Sequence, residues 1–565
     1  MCSSSEAAQY ADPLSPSLSN STSFHDDLDH NLYPSYSDSK QRNVLSKGNT
    51  HEDLSLDKHG THFHGDLGIR KRVCGCFNDT LSLRRGLDEL KGWIDRFWKH
   101  KGKDIWQEVR NQCRLAGPMI AVSFSQVAFQ LIAVVFVGHL GELALSSSSI
   151  ATSIANVTGL CIMTGMASGL ETLCGQAFGA KRFVLLGQYL QVGIICSNTL
   201  AILISFIYGF MDVILIGLGQ DRIISMEAGK YAKWLIPSLF AHASSQPLIR
   251  FLLTQSLVCP LMVCSGIAAA FQVPLCWFLV HRTGFGFTGA AFSTSIGCWT
   301  YAILLYIYVI FSSSCTKARA PVSLQALHLM KGFVTFAIPS AAMTCLDWWC
   351  YEILVLLSGL LPNPQLQTST LSICLNYANL TYQIASGLAA AASTRVSNEL
   401  GAGHPQGASN AAIVAVSLTL CQGCCTSVLL LVFCKSLGHI LSSELTVVKS
   451  VAAMLRLLAL SSLLDSTQGV ISGIARGCGW QVSGALINLS SYYVVALPTG
   501  AYLAFLTPLK ARGLWIGVIC GSILQVVLLG RLTWTAKWDK EAENAMARLK
   551  EASPRVYEAA PLLPV

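Results

Sequence analysis

The sequence predicts an all-α polytopic membrane protein with twelve transmembrane helices in two pseudo-symmetric lobes of six helices each. The chain is 52% hydrophobic and only 12% charged, which is about half the charged fraction of a typical soluble domain. Its second half also repeats landmarks of the first half at an offset of 221 to 224 residues. These pairs are Pro118 and Pro339, Gly138 and Gly359, Gly179 and Gly401, Gln246 and Gln468, and Gly289 and Gly513.

Twelve apolar segments are long enough to cross the bilayer core, which takes about 20 helical residues. The third segment, for example, has no charged residue between Phe183 and Met211. Glycine, proline or clustered charges separate the segments and set their limits. The predicted spans are 113–138, 144–170, 184–210, 226–248, 257–280, 287–312, 332–359, 366–392, 407–434, 446–472, 482–505 and 512–534.

The spans divide the chain into five regions. Residues 1–105 are polar and serine-rich and are predicted to form a disordered tail with a short amphipathic helix near its end. Residues 106–316 contain the first six spans, and residues 317–331 form a charged linker. Residues 332–535 contain the other six spans, and residues 536–565 are predicted to be a C-terminal tail.

The distribution of basic residues predicts the orientation of the chain in the membrane. An even number of spans puts both termini on one side, and the loops assigned to that side carry the larger share of lysine and arginine. Arg250, Arg395 and Arg476 are assigned to those loops. Because cytosolic loops are enriched in basic residues, both termini are predicted to be cytosolic.

Three acidic residues fall inside spans of the second lobe, namely Asp347 and Glu352 in the seventh span and Asp465 in the tenth. A charged group at bilayer depth is costly and is a functional hypothesis by default. A carboxyl group shielded from water holds a proton more readily, so that it can bind and release one near physiological pH. Because many secondary transporters are built from a duplicated set of spans, we predict that these three residues couple transport to a proton gradient, with no cofactor. Glu352 lies about 140° around the helix from Asp347. It could therefore lie at the mouth of a central cavity instead of facing into that cavity beside Asp347.

Polar residues at helical spacing could line a cavity together with these acids. The predicted substrate-binding residues are Tyr351, Asn376, Asn379, Tyr382, Gln383, Gln468 and Ser472, with Gln126 and Gln130 from the first span. Such groups can also serve only to bond one helix to another. Pro118 and Pro339 each remove a backbone hydrogen bond and are predicted hinges, with simple packing adaptation as the alternative.

Other classes of function find little support in the sequence. No metal-ligand cluster, nucleophile–base pair or phosphate-binding loop is visible, so we predict neither a metal site nor an enzyme. The net charge of +8 is modest, and much of it lies near the ends of spans, which argues against nucleic-acid binding. An ion channel usually has a pore ringed by charges, whereas the acids here are few and confined to one lobe.

Four motifs, at residues 167–180, 358–364, 392–403 and 468–479, resemble signatures of plant multidrug and toxic compound extrusion transporters. The resemblance runs from about residue 105 to about residue 540. It implies a twelve-helix fold, alternating access, and export of organic solutes from the cytosol in exchange for protons. Family members usually carry glutamate where this chain has Asp347, and Asp465 matches the acid of their tenth span. Bacterial relatives have an aspartate in the first span, where this chain offers only Gln126 and Gln130, so the second lobe is expected to bind the protons.

The resemblance leaves the substrate open among secondary metabolites, xenobiotics and organic anions. A sodium-coupled exporter and a lipid or lipid-linked flippase of a related fold are the alternatives. Residues 558–563 resemble an acidic dileucine sorting signal, which favours the vacuolar membrane over the plasma membrane. The expected partners are small organic solutes, protons and the lipid bilayer, without nucleic acid, and the protein is expected to be monomeric.

Overall fold

The computed structural model describes residues 102–321, 324–441 and 444–552. Within these residues the chain forms twelve long helices and one shorter helix after them, with a short helix at Met211–Gly217 and two 3₁₀ segments at Ser313–Ala318 and Leu324–Leu329 in the connections. The long helices and the shorter helix after them are α1 (Gly102–Gly138), α2 (Glu142–Gly179), α3 (Phe183–Gly209), α4 (Arg222–Thr254), α5 (Val258–His281), α6 (Phe287–Phe311), α7 (Met330–Ser358), α8 (Pro364–Gly401), α9 (Pro405–Leu441), α10 (Leu445–Cys478), α11 (Gln481–Leu506), α12 (Ala511–Trp534) and α13 (Trp538–Ala552). Helices α2 and α11 each contain a short π-helical segment.

The twelve long helices are suited to a membrane by length and composition. Ten of them contain an 18-residue stretch apolar enough to cross a bilayer. The other two, α4 and α8, are 33 and 38 residues long and bury polar residues such as Gln246 and Asn398 against other helices. Two sets of six helices of this length confirm the predicted fold class.

Three helix pairs make up most of the seam between the N-lobe (α1–α6) and the C-lobe (α7–α12): α1 with α8, α2 with α7, and α2 with α8. The first two pairs are equivalent in the repeat, because α7 corresponds to α1 and α8 to α2. In the third pair, α2 and α8 are equivalent to each other, and they make matching contacts on the two sides of their crossing. A Cβ atom at Gly179 would overlap the backbone oxygen of Asn398, and one at Gly401 would overlap that of Gln176. The pseudo-two-fold axis therefore passes between α2 and α8, where two glycines let the backbones meet.

One end of the seam is covered by α13, which buries Ala542, Ala545 and Leu549. The Nη1 of Arg182 donates to the backbone oxygen of Leu549 at 2.9 Å. Arg548 donates to Gln176 in α2 and to the backbone oxygen of Cys478 at the end of α10, both at 3.2 Å. We call this end, at which α1 begins and α12 ends, the terminal face.

Several features differ from the sequence prediction. The predicted C-terminal tail, residues 536–565, contains α13, and its apolar residues at positions 542, 545 and 549 follow the spacing of an amphipathic helix. The assignment of Arg250, Arg395 and Arg476 to loops is wrong, because they lie in the last two turns of α4, α8 and α10. These three helices extend beyond their apolar segments because their ends are buried at the seam. The amphipathic helix expected before residue 102 and the sorting signal at 558–563 lie outside the described residues.

Candidate functional site

Asp347 is held inside the C-lobe by neutral amide donors from two other helices. The Nδ2 of Asn488 in α11 donates to its Oδ1 at 2.9 Å, and the Nε2 of Gln468 in α10 lies 3.4 Å from its Oδ2. The same Nδ2 of Asn488 also donates to the backbone oxygen of Met343 at 2.8 Å. The Oδ1 of Asn488 accepts from the Nε2 of Gln525 in α12 at 2.6 Å. Asp347 thus ties α7 to α10, α11 and α12 through hydrogen bonds.

The network fixes which way the Asn488 amide points. A backbone carbonyl can only accept hydrogen bonds, so the amide nitrogen must face Met343, and it faces Asp347 as well. Asn488 therefore cannot turn its oxygen toward Asp347 without losing the bonds to Met343 and Gln525. The arrangement therefore favours an acceptor oxygen at the Oδ1 position of Asp347.

Asp465 occupies a separate position in the same lobe. The Oγ of Ser522 in α12 donates to its Oδ1 at 2.9 Å, and Ser522 is fully buried. One turn earlier in α10, Ser461 accepts a hydrogen bond from the Nε1 of Trp515 at 3.1 Å. The two aspartates of the C-lobe thus meet different partners.

Exposed polar residues of α1 and α8, beyond the contact between these two helices, indicate a cleft between the lobes. The hydroxyl groups of Ser123 in α1 and Ser386 in α8 lie 3.1 Å apart. Gln130 follows Ser123 by two helical turns on the same face, and it is exposed. On α8, Asn376 lies on the face that Gly387 turns toward Ile120 of α1, and it is exposed too. Helices α1 and α8 are thus packed together toward the terminal face and present exposed polar residues beyond these serines, whereas α2 and α7 stay in contact beyond that level through Glu352 and Ser153.

The remaining predicted binding residues fall into three groups. Gln126, Asn379 and Gln383 flank the cleft, where the Nε2 of Gln383 donates to the Oδ1 of Asn379 at 2.7 Å. Behind them, Tyr382 packs against Gly469 of α10, and the Nε2 of Gln468 reaches the Oγ of Ser472 at 3.4 Å. Tyr351 is half-buried against the apolar core of the C-lobe.

Glu352 does not join the network of Asp347. Its Oε2 accepts from the Oγ of Ser153 in α2 at 3.3 Å, so it lies in the seam between α2 and α7. In the same stretch of the seam, the Nε1 of Trp349 donates to the backbone oxygen of Val157 at 3.1 Å. Val157 belongs to the π-helical segment of α2.

Pro118 and Pro339 lie inside α1 and α7, at equivalent points on the two sides of the seam. Both helices continue through their proline. The hinge role of these prolines stays a prediction.

A set of charged residues at the terminal face was not predicted from the sequence as interlobe contacts. Glu171 in α2 pairs with the Nη1 of Arg250 at 2.7 Å and with the Nε of Arg476 at 3.1 Å. Glu108 in α1 pairs with Arg395 in α8 at 2.7 Å. These partners are up to 305 residues apart in the chain, so no local pattern reveals them. The available signal was that all five charges lie near the ends of predicted helices.

Comparisons with known proteins agree with this architecture. The family model described as MatE matches residues 118–278 and 339–502, once in each lobe and each time from the shared proline. Protein DETOXIFICATION 16 of Arabidopsis thaliana is 46% identical over 468 residues, covering 82% of this chain and 96% of that protein. Protein DETOXIFICATION 10 of Arabidopsis thaliana is 44% identical over 464 residues, covering 81% and 95%.

Solved structures match over the same region. The crystal structure of the eukaryotic MATE transporter AtDTX14 has a TM-score of 0.76 and 44% sequence identity, covering 79% of this chain and 100% of that chain. An outward-facing conformation of a multidrug resistance MATE family transporter of the MOP superfamily has a TM-score of 0.69 at 16% identity, covering 78% and 97%. At that identity it shows the fold alone.

Two lobes of six membrane-spanning helices, with a polar cleft between them, define a multi-pass membrane transporter. The family model, the relatives and the solved structures agree, and the chain belongs to the MATE family. The family resemblance predicted from the four motifs is thereby confirmed.

Proposed function

We propose that the protein is a secondary active antiporter that exports organic solutes from the cytosol in exchange for protons by alternating access. The observation that carries the proposal is the position of Asp347, a carboxylate deep in a membrane helix and bonded to amide donors from α10 and α11. Ionisable groups at bilayer depth mark proton relays and ion pathways in many transporters.

The chemistry of a proton at this site follows from the fixed amide of Asn488. Protonation turns one of the two acceptor oxygens of Asp347 into a hydroxyl group, and the other oxygen still accepts. Since Oδ1 faces the N–H donor of Asn488, the site favours a proton on Oδ2, which changes the contact with the Nε2 of Gln468. Because α7 also packs along α2 of the other lobe, a change at Asp347 reaches the seam through one helix.

The cleft suits solutes with both apolar and polar parts. Its amide side chains, Gln126, Gln130, Asn376, Asn379 and Gln383, offer donors and acceptors without a fixed charge. Organic solutes are thus expected to bind in the cleft, and protons in the C-lobe behind it. We expect the termini to be cytosolic, the vacuolar membrane to be the site of action ahead of the plasma membrane, and the monomer to suffice for transport.

The test is uptake by the full-length protein in proteoliposomes, with probes from several solute classes (flavonoids, alkaloids and citrate). We expect uptake when the inside is acidic, and none with an imposed sodium gradient alone. Asp347→Asn and Asp465→Asn should abolish the pH-driven component, because neither amide can bind a transported proton. Glu444→Gln, at the start of α10, serves as a control that removes an exposed acid and should transport normally. Undiminished pH-driven uptake by Asp347→Asn would refute the coupling role, and sodium-driven uptake would favour sodium coupling.

A further inference from the structure

Glu171 is the most deeply buried carboxylate of the ion pairs at the terminal face. Its side chain is only 1% exposed, whereas those of Arg250 and Arg476 are 15% and 18% exposed. Arg250 belongs to α4 of the same lobe, and Arg476 belongs to α10 of the opposite lobe. The carboxylate of Glu171 is thus shared between an arginine of its own lobe and an arginine of the opposite lobe.

Arg476 is held to α2 at both of its ends. Its side chain bonds to Glu171. Its backbone oxygen accepts a hydrogen bond from the hydroxyl of Thr172, the residue that follows Glu171 in α2. Gln481 donates to the same Thr172 hydroxyl at 2.6 Å and lies 3.3 Å from the backbone oxygen of Arg476. Two adjacent residues of the N-lobe therefore fasten one residue of the C-lobe.

The charges favour a contact that can open and close. If the lobes separate here, Glu171 keeps Arg250 and its lobe retains a balanced pair. Arg476 then enters water, so that neither charge is left buried without a partner, which would be costly.

Resting on the antiport proposed above, we propose that the Glu171–Arg476 pair is the gate at the terminal face. The pair forms when the cleft is open toward the opposite face, and it breaks when the cleft opens toward the terminal face. Glu171 and Arg476 are positioning residues, which act on solute access without contacting the solute.

A purely structural role would give a different result from a gate. If Glu171 serves only to neutralise Arg250, loss of Arg476 should loosen the structure generally or change nothing. A gate instead predicts opposite changes at the two ends of the seam. Hydrogen–deuterium exchange of the full-length protein in nanodiscs measures both ends without any transport.

In Arg476→Gln, we expect faster exchange at 172–180 and 394–403, and slower exchange at 124–137 and 366–383, which flank the cleft. This variant is expected to fold, because the Glu171–Arg250 pair stays intact. The fraction of molecules that are open at the terminal face should increase about tenfold, which is within the range of coupling energies measured for residues in contact. Arg476→Lys should restore part of the wild-type pattern, and Glu171→Gln should add little to Arg476→Gln if the two act as one pair.

Glu399→Gln is the matched control. It removes a carboxylate from Arg395 within α8, at the same face and inside one lobe, and should leave exchange at both ends unchanged. Equal changes at both ends in Arg476→Gln, or none, would overturn the gate. If wild-type protein shows pH-driven uptake in that case, the proposed function still stands. If the opposite changes appear but wild-type protein shows no pH-driven uptake, the gate stands and the antiport fails.

Discussion

Pro118 and Pro339 mark equivalent points in the two lobes, and eight residues after each proline lies a polar side chain. In the N-lobe it is Gln126, an exposed amide beside the cleft. In the C-lobe it is Asp347, which is bound by amides of α10 and α11. The two helices share their kink-permitting residue, while only one of them carries a group that can bind a proton.

The terminal face repeats this contrast. At the repeat offsets of 221 and 222, Glu108 and Arg395 correspond to Leu329 and Leu173, which are both buried. Glu171 and Arg476 correspond in the same way to Ser393 and Thr254, again buried and neutral. Each ion pair across the seam thus has an uncharged counterpart on the other side of the axis.

The comparison teaches that the duplication preserves what sets the backbone and diverges in what carries charge. Proline and glycine positions recur because helix kinks and close helix contacts constrain both lobes alike. Carboxylates and arginines need particular partners from other helices, and those partners differ between the lobes. Asymmetric chemistry is therefore built on a nearly symmetric scaffold.

Exchanging Gln126 and Asp347 should test the difference between the two lobes most strongly. We expect the double variant Gln126→Asp with Asp347→Gln to lose pH-driven uptake, because an acid at position 126 would lie in a wet cleft and lack the donors that surround Asp347. Proteoliposome uptake measures the effect, with Gln126→Asn as the neutral control. Recovery of coupled transport in the exchanged protein would mean that the lobes are interchangeable as proton sites.

Gly179 and Gly401, the two glycines on the pseudo-two-fold axis, should lose similar amounts of stability when either is replaced by alanine. Gly179→Ala and Gly401→Ala each put a Cβ against backbone atoms of the other helix, and we expect each to lower stability by about 1–3 kcal/mol. Thermal unfolding in detergent measures the loss. Gly530→Ala is the control, since nothing lies within 4 Å of its added Cβ, and alanine should stabilise that helix by up to about 1 kcal/mol. Clearly unequal losses at 179 and 401 would argue against a symmetric contact.

The smallest effect is expected when the charged side of the seam is made to resemble the neutral side. The double variant Glu108→Leu with Arg395→Leu copies the leucines of the other side, and we expect its stability to stay within about 1 kcal/mol of wild type. Glu108→Leu alone should cost more, about 2 kcal/mol, because Arg395 then keeps only the carboxylate of Glu399. A double variant less stable than the single one would show that the ion pair is essential for closing the seam.

Sequence patterns predicted the helices well and the contacts between distant helices poorly. The apolar segments and the repeat predicted twelve spans. The interlobe role of Glu171 was not predicted, because its partner Arg476 is 305 residues away. The charged ends of α4, α8 and α10 were misassigned because a charge near an apolar stretch marks either a loop or a buried partner, and composition does not distinguish them.

The sequence by itself determined the number of spans, the duplication and the confinement of mid-membrane carboxylates to the second half. These follow from local hydrophobicity and from spacing along one helix, which the chain encodes directly. Only the tertiary structure decided that Asn488 faces Asp347, that Glu352 meets the N-lobe, and that Glu171 bridges the lobes. Those contacts depend on how separate helices rotate and approach one another, and that is fixed by packing over the whole molecule.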